Sequence, residues 1–530
     1  MEDMRRLGFF LCVLSSVETL GAQPPAIGQN GVVNQASQIA PALAGAALAR
    51  GARIEIRGVR LVSSDGRVTA TLSQGDARIP IAILSAGAKL IAARIPPDAP
   101  LGAATVTVMA SGGNSAPFAV QIAASNPGLY SRNGQGWGPG RIDNLDAKGK
   151  RSENSHANAA RPGQHVMLAA TGIGPLTAIH VLVGGRSSMA TVRQTDRPGE
   201  EELLFAIPGN APAGCNVPVY VLATPKRASN VVTVAIDPQG ACQDRFVSAP
   251  GPARLLLAVF SRTLMKLDQS KGESIYDEAV VSFAKVGVDA HPSPLLLAPP
   301  PGTCISYSGS FQTSTMLPDS PSAAVVSELG GTGLDPGPAL NVARQGATRG
   351  IPGNPSATGF FRTRLGGRNV SFGPRALAPF LDPGEYRLHV PGGHDIQAFS
   401  AQFTGPSPLD WTNRDRIDAV DRARELSVEW RGAAADRLVI VLATNVDPVS
   451  TATGTVVCAA LPAAGRLTIG PELLANLPTS MPESASKGGV PYNRLFLGTV
   501  PAAPQRIEAP GLDGGAIIGL YATGRFVEYR

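Results

Sequence analysis

Histidine, carboxylate and cysteine side chains carry most protein chemistry, and this chain of 530 residues brings few of them together in sequence. The run HVPGGHD holds His389, His394 and Asp395, a loose ligand set for a metal ion. His389, however, alternates with Tyr386 and Leu388 as a residue on the polar side of a strand does, so ordinary surface placement is the expectation. Asp415, Asp418 and Asp421 recur at every third position, as carboxylates around a calcium ion can. Arg414, Arg416, Arg422 and Arg424 interleave with them, which points to a solvated, ion-paired face. No HExxH, G-x-S-x-G, P-loop or EF-hand loop occurs. A glycosidase needs two carboxylates in one cleft, but a chain with 40 acidic residues always offers some pair, so acids alone identify nothing. No catalytic, cofactor-binding or metal-binding residue is therefore assigned, and no cofactor is expected.

Two other residue types carry more information. Trp137 lies in NGQGWGPG, a glycine-rich loop without core periodicity, with Tyr130 shortly before it. An aromatic there can stack on a sugar or anchor a protein partner. It can equally fold back over a junction between domains. The loop falls between the last strand of one repeat and the first strand of the next, where a rigid hinge is useful, so a mostly buried Trp137 between the two repeats is expected. Trp411 and Trp430 fall in strand-like runs and are expected in a core. Cys12 belongs to an N-terminal leader, which leaves Cys215, Cys242, Cys304 and Cys458. An even number in an exported chain suggests two disulfides. Cys215 and Cys242 bracket the end of one repeat and are expected to pair, and Cys304 and Cys458 then pair by elimination. No CxxC exists to support a zinc or redox site.

The elements that position these residues repeat. IPPDAPLGAATVTVMAS begins at Ile95, and IPGNAPAGCNVPVYVLA begins at Ile207. Each copy follows alternating apolar strands, crosses a Pro-rich turn at Ile95-Pro96 or Ile207-Pro208, and enters a further strand past Gly102 or Gly214. Proline cannot donate to a central ladder, so the phrase marks a corner where the chain crosses between sheets. Seven or so short strands per repeat, with frequent turns, give the pattern of an immunoglobulin-like sandwich. Past residue 253, ARLLLAVFSRTLMKL reads as a long strand or a short helix, EAVVSFAKV alternates, and GPELLANL and RDRIDAVDRAR carry the helical patterns. Gly and Pro supply 60 and 46 residues without a collagen-like period, and only 16% of residues are charged, against about 25% in ordinary domains. The expected fold class is all-β: tandem immunoglobulin-like sandwiches followed by a β-rich region of one or two sandwich domains.

GVVNQAS (Gly31 to Ser37), NPGLYSRNGQGWGPGRIDN (Asn126 to Asn144), ATGIGP (Ala170 to Pro175) and the paired Ile-Pro turns resemble a family of uncharacterised secreted proteins from soil acidobacteria. That family carries paired immunoglobulin-like repeats of the IPT/TIG kind. The resemblance covers roughly residues 28–240, and more loosely the rest through PPPGTCISYSGS, PLDWTNRDRI and APGLDGG. Where the family tends to have a Pro-Gly-Gln turn before the Ile-Pro strand, this chain has SAGAKLIAARIP. The resemblance implies a fold and a compartment rather than an activity.

Compartment also follows from the N-terminus. MEDMRR, the apolar run LGFFLCVL and the small residues Gly21 and Ala22 succeed one another as in a secretory signal peptide, with cleavage expected near Ala22. No apolar stretch reaches the ~18 residues of a membrane span. The formal charge of +6 is spread thinly and lacks a Lys/Arg stripe with interleaved aromatics, so nucleic acid is not expected as a partner. The expected organisation is a signal peptide over 1–22, sandwiches over 23–123 and 124–240, a linker over 241–253, a β-rich domain over 254–405 and a sandwich-like domain over 406–530. These features describe a secreted or periplasmic, non-catalytic scaffold or adhesion protein for an extracellular protein or glycan. The alternative is a secreted carbohydrate-active enzyme with its catalytic region in 254–530, which requires a deep cleft of converging carboxylates or histidines there.

Overall fold

A computed structural model describes residues 23–63, 65–224, 227–243, 253–268, 272–286, 299–310, 331–369, 377–481 and 493–530. The leader expected over 1–22 and most of the linker expected over 241–253 lie outside these residues. Nearly every element is a β-strand, and the fold is all-β.

In the first unit, Ala26–Asn34 pairs with Arg53–Val59, which pairs with Leu90–Arg94. Thr69–Gln74, Gly102–Ala110 and Phe118–Ala123 form the facing group. Ala77–Ala86 joins the two, pairing with Leu90–Arg94 at one end and Thr69–Gln74 at the other. Alternation places Ile54 and Ile56, Ile91 and Ala93, and Val106 and Val108 inward as a buried core. The second unit repeats this order: His165–Thr171 pairs with Glu201–Ala206, then come Arg186–Gln194, Ala178–Val183, Gly214–Thr224 and Val232–Ile236. The two units are immunoglobulin-like sandwiches in tandem. In both, the Ile-Pro phrase carries the chain from one sheet to the other, and Gly102, which ends this crossing in the first unit, adopts φ +111°, a conformation an L side chain resists.

Beyond residue 253 the described residues build a 14-stranded sheet around a long hairpin, Ala253–Asp268 with Gly272–Val286, with smaller sheets of three and two strands beside it. The first arm also pairs in parallel with Gly514–Phe526, from Leu255 opposite Gly514 to Met265 opposite Gly524. The division expected near residue 405 therefore does not separate two domains. The physical reason lies in the hairpin, whose apolar run is buried on both faces. Leu256, Ala258 and Phe260 enter a core with Leu340, Leu388 and Phe403. Leu257 and Val259 enter another with Trp411, Trp430 and Val439. The run ARLLLAVF is thus a strand and not a helix, and the hairpin is a wall shared by both cores. Trp411 and Trp430 are buried as expected. Pro471–Leu474 is helical within GPELLANL, whereas the second expected helix is only a 3-10 turn at Arg414–Arg416 followed by a short strand at Ala419–Val420. Aspartates at every third position among arginines solvate an extended chain as well as they do a helix.

The three bodies are locked together. Between the sandwiches, Asn126 donates to the carbonyls of Gly45 and Ala47, Arg227 donates to Ala44 O and Asn126 Oδ1, and the Arg53 N–H donates to Thr171 Oγ1. The first sandwich also reaches the last body: Gln29 and Asn30 donate to the carbonyls of Val449 and Ser450, and Ile39, Ala40 and Leu43 bury against Ala452. The second sandwich adds Tyr220, Ala228 and Val231 to the core that holds Trp430.

Candidate functional site

The cysteines pair as Cys215 with Cys242 and Cys304 with Cys458, with Cα atoms 5.5 Å and 4.0 Å apart. Cys304 and Cys458 face each other directly across antiparallel strands. The first bridge ties the entry to the strand Gly214–Thr224 to the tail that follows Val232–Ile236.

Trp137 is half-buried, but not between the two sandwiches. It packs against the core of the last body, edge-on to Tyr307 with ring centroids 5.9 Å apart. The expectation misplaced the junction because Tyr307 is remote in sequence. Gly136, at φ +79°, presses on the first sandwich instead, and a Cβ there would meet Ser37 O at 2.2 Å. The loop is thus a three-way joint. Tyr130 is buried, donates to Gln35 Oε1 at 3.0 Å, and carries the Arg141 guanidinium 4.8 Å over its ring. Burial raises its hydroxyl pKa above the ordinary value. Tyr130, buried and covered by Arg141, offers no open stacking face.

The other sequence candidates stay apart. His389 is exposed and bonds Ser400 Oγ at 3.1 Å, while His394 is exposed beside Asp395. Asp418 pairs with Arg525 and Asp421 with Arg424 at the surface, and Asp415 is exposed. Among the described residues no group of three or more His, Cys, Asp or Glu is placed to hold a metal ion.

What the sequence reading missed is a cleft of about 400 Å³ on the second sandwich, away from residues 254–530 where a catalytic cleft was the alternative. Five segments line it. Its floor is Ile142, Met167 and Ala169, from the strands Ile142–Leu145 and His165–Thr171. One wall is Arg151, whose guanidinium bonds both Glu202 oxygens at 2.5 and 2.8 Å and lies 3.9 Å from Asp143. The Glu202 contact holds the Arg151 pKa up. The other wall centres on Glu200, only 6% exposed at its side chain, which meets Arg141 at 2.8 Å, Arg197 at 3.5 Å and Arg53 of the first sandwich at 3.3 Å. Arg132, from the Trp137 loop, pairs with Glu153 at the rim. Arg53 also donates to Pro198 O, so the first sandwich braces the loop that forms this wall. No sequence spacing announces a site drawn from five segments. The only trace is dense charge alternation in RIDNLDAKGKRSE and TDRPGEEE.

Glu201 points the other way, into the junction. It is buried, accepts from the backbone N–H groups of Gly172 and Ile173, and leaves Oε2 without a hydrogen-bond partner. Burial pushes its carboxyl pKa up to about 7.

No family model matches the chain, and none of the curated proteins matches it. Among solved structures it is similar to SGBP-B of the Bacteroides ovatus mixed-linkage glucan utilization locus, in complex with a mixed-linkage heptasaccharide, at 11% identity and TM-score 0.20. That likeness covers 36% of this chain and 45% of that one, so the chain spans under half of that protein's length. A tetra-tandem repeat from the extending region of a large adhesion protein is similar at 11% identity, TM-score 0.13, over 89% of this chain and 95% of that one. Domains A168–A170 of titin are similar at 9% identity, TM-score 0.14, over 72% and 93%. Likeness at these values carries no argument about activity, ligand or assembly. No helix among the described residues is long and apolar enough to cross a membrane.

Proposed function

We propose that the chain is a non-catalytic scaffold and binding protein that works outside the cytoplasm, exported by cleavage near Ala22 and belonging with the secreted acidobacterial proteins of paired IPT/TIG-type repeats. The observation that carries this reading is the locking of the three bodies. Hydrogen bonds, a buried apolar contact and the Trp137 joint hold the sandwiches on a doubly buried sheet, and this frame presents a charged cleft whose wall the neighbouring sandwich braces. Such a frame holds a binding surface in one geometry, which lowers the ordering cost of association. Two disulfides fit an oxidising compartment. The partner is an extracellular protein or glycan.

The test is fractionation of the native host together with two assays on the purified mature chain. Expected are a mature N-terminus near Gln23 outside the cytoplasm, saturable binding to host envelope or matrix material, and no new reducing ends from a polysaccharide panel. An intact Met1 in the cytoplasm overturns the compartment. Release of reducing ends establishes the carbohydrate-active alternative.

A further inference from the structure

We propose that the cleft of the second sandwich binds a neutral, hydroxyl-rich saccharide. This rests on the binding reading above and names its ligand class and place. The first observation is charge balance. Guanidinium and carboxylate groups alternate along both walls, Arg141–Glu200–Arg197 on one and Asp143–Arg151–Glu202 on the other. Arg132 and Glu153 cancel at the rim. With Arg53 behind Glu200, the cleft has no large uncompensated charge to hold an anion or a cation.

The second observation is the hydrogen-bonding inventory. Each guanidinium has five N–H donors and each carboxylate about four acceptor positions, and one ion pair uses only some of them. Arg197 is 62% exposed at its side chain and Asp143 39%, so both turn unused capacity to the cleft. A sugar hydroxyl donates and accepts at once, and a vicinal pair spans neighbouring donor and acceptor groups. Alternating walls satisfy that pattern without leaving a charge unpaired. Met167 and Ala169 underlie the floor but are only 3% and 7% exposed, so the cleft presents its polar groups almost alone. About 400 Å³ falls in the ~300–1,000 Å³ range of small-ligand sites and admits a short oligosaccharide. No aromatic residue lines the cleft, so ring stacking adds nothing to its hydrogen bonds.

The experiment is titration calorimetry and affinity electrophoresis of the mature full chain against neutral polysaccharides (mixed-linkage β-glucan, xyloglucan, galactomannan, dextran) and against polygalacturonate, at low and high salt. The variant is Arg197→Ala with Asp143→Ala, which truncates two side chains that are 62% and 39% exposed and leaves the backbone pairing of the Ile142–Leu145 strand in place. Expected are binding to at least one neutral polymer with little change between 50 and 300 mM salt on the ~6–14 Å screening scale, at least tenfold weaker binding by the variant, and an unchanged melting temperature. Failure of every neutral polymer overturns the inference. So does neutral binding that persists in the variant, which places the saccharide elsewhere and leaves the binding reading intact. Binding confined to polygalacturonate and lost at high salt overturns the ligand class. If no saccharide binds but the chain still saturates on envelope material, the inference falls and the scaffold reading stands.

Discussion

Glu201 sets two requirements against each other: the Gly172–Ile173 turn at the sandwich junction needs an acceptor, and the same junction excludes water from it. Facing the carboxyl are Arg94 of the first sandwich and Glu200, with Arg53, Arg141 and the Tyr130 hydroxyl close by. Arg94 favours the ionised form, but burial outweighs it and the pKa rises from 4.5 to about 7. A raised acid pKa means that the folded state holds the proton more tightly than the unfolded chain. Its contribution to stability is fully present below pH ~4.5 and is lost as pH rises through about 7, by about 3 kcal/mol in all. Thermal unfolding between pH 5 and 8 is expected to show this loss, and Glu201→Gln, which keeps an acceptor without the charge, should flatten the slope. An equal slope in the variant would assign it to other groups. Trp137 makes a second residue-scale prediction. Trp137→Ala removes a half-buried ring from the Tyr307 contact and should cost about 2 kcal/mol of stability. Trp137→Phe should recover most of that. Neither change should alter ligand affinity, and an affinity loss at unchanged stability would restore the loop as a recognition surface.

Elements differ in how plainly the sequence announces them. The two sandwiches were legible because each strand alternates about one buried face and each copy repeats the Ile-Pro crossing, so period and punctuation agree. The bridge between Cys215 and Cys242 was legible for the same reason, since both cysteines fall at matching ends of one repeat. The hairpin beginning at Ala253 was not, because a strand buried on both faces loses its period and reads as helix or strand alike. Its parallel partner, Gly514–Phe526, is remote in sequence and left no local trace. The cleft failed to show for a related reason, as five segments meet only in three dimensions. From the shared wall follows an expected outcome: residues 254–405 expressed alone will be insoluble or unfolded, whereas residues 23–243 will fold, as judged by circular dichroism and amide dispersion. The bridges differ in leverage as well. Cys215–Cys242 closes a separation of 27 residues and Cys304–Cys458 one of 154, so on chain-entropy grounds removing them costs about 3.6 and about 5 kcal/mol. The Cys304→Ala/Cys458→Ala pair should lower the denaturation midpoint more than Cys215→Ala/Cys242→Ala, and the reverse order would count against the entropic account.

At the scale of the whole molecule, a string of sandwiches would leave each domain free about its linkers, and this chain does the opposite. The first sandwich touches both others, through Arg53, Asn126 and Arg227 on one side and through Gln29, Asn30 and the buried Ile39, Ala40 and Leu43 on the other. The closure matters for the cleft, because Arg53 reaches it only while the first sandwich holds its place. Ile39 and Leu43 are 4% and 5% exposed, and carboxylates there cannot be buried against Ala452 without a large desolvation cost. Ile39→Asp with Leu43→Asp should therefore release the first sandwich from the last body without unfolding either, since neither residue belongs to the core of the first sandwich. Small-angle scattering should show a larger maximum dimension for the variant, while the wild type keeps one profile from 0.05 to 0.5 M salt because its contacts are mostly hydrogen bonds and buried apolar packing rather than ion pairs. Saccharide affinity should fall along with the compaction, as the Arg53 brace loosens. Identical scattering curves for the two proteins would show that the junction between the sandwiches alone fixes their arrangement, and that the contact with the last body adds nothing to it.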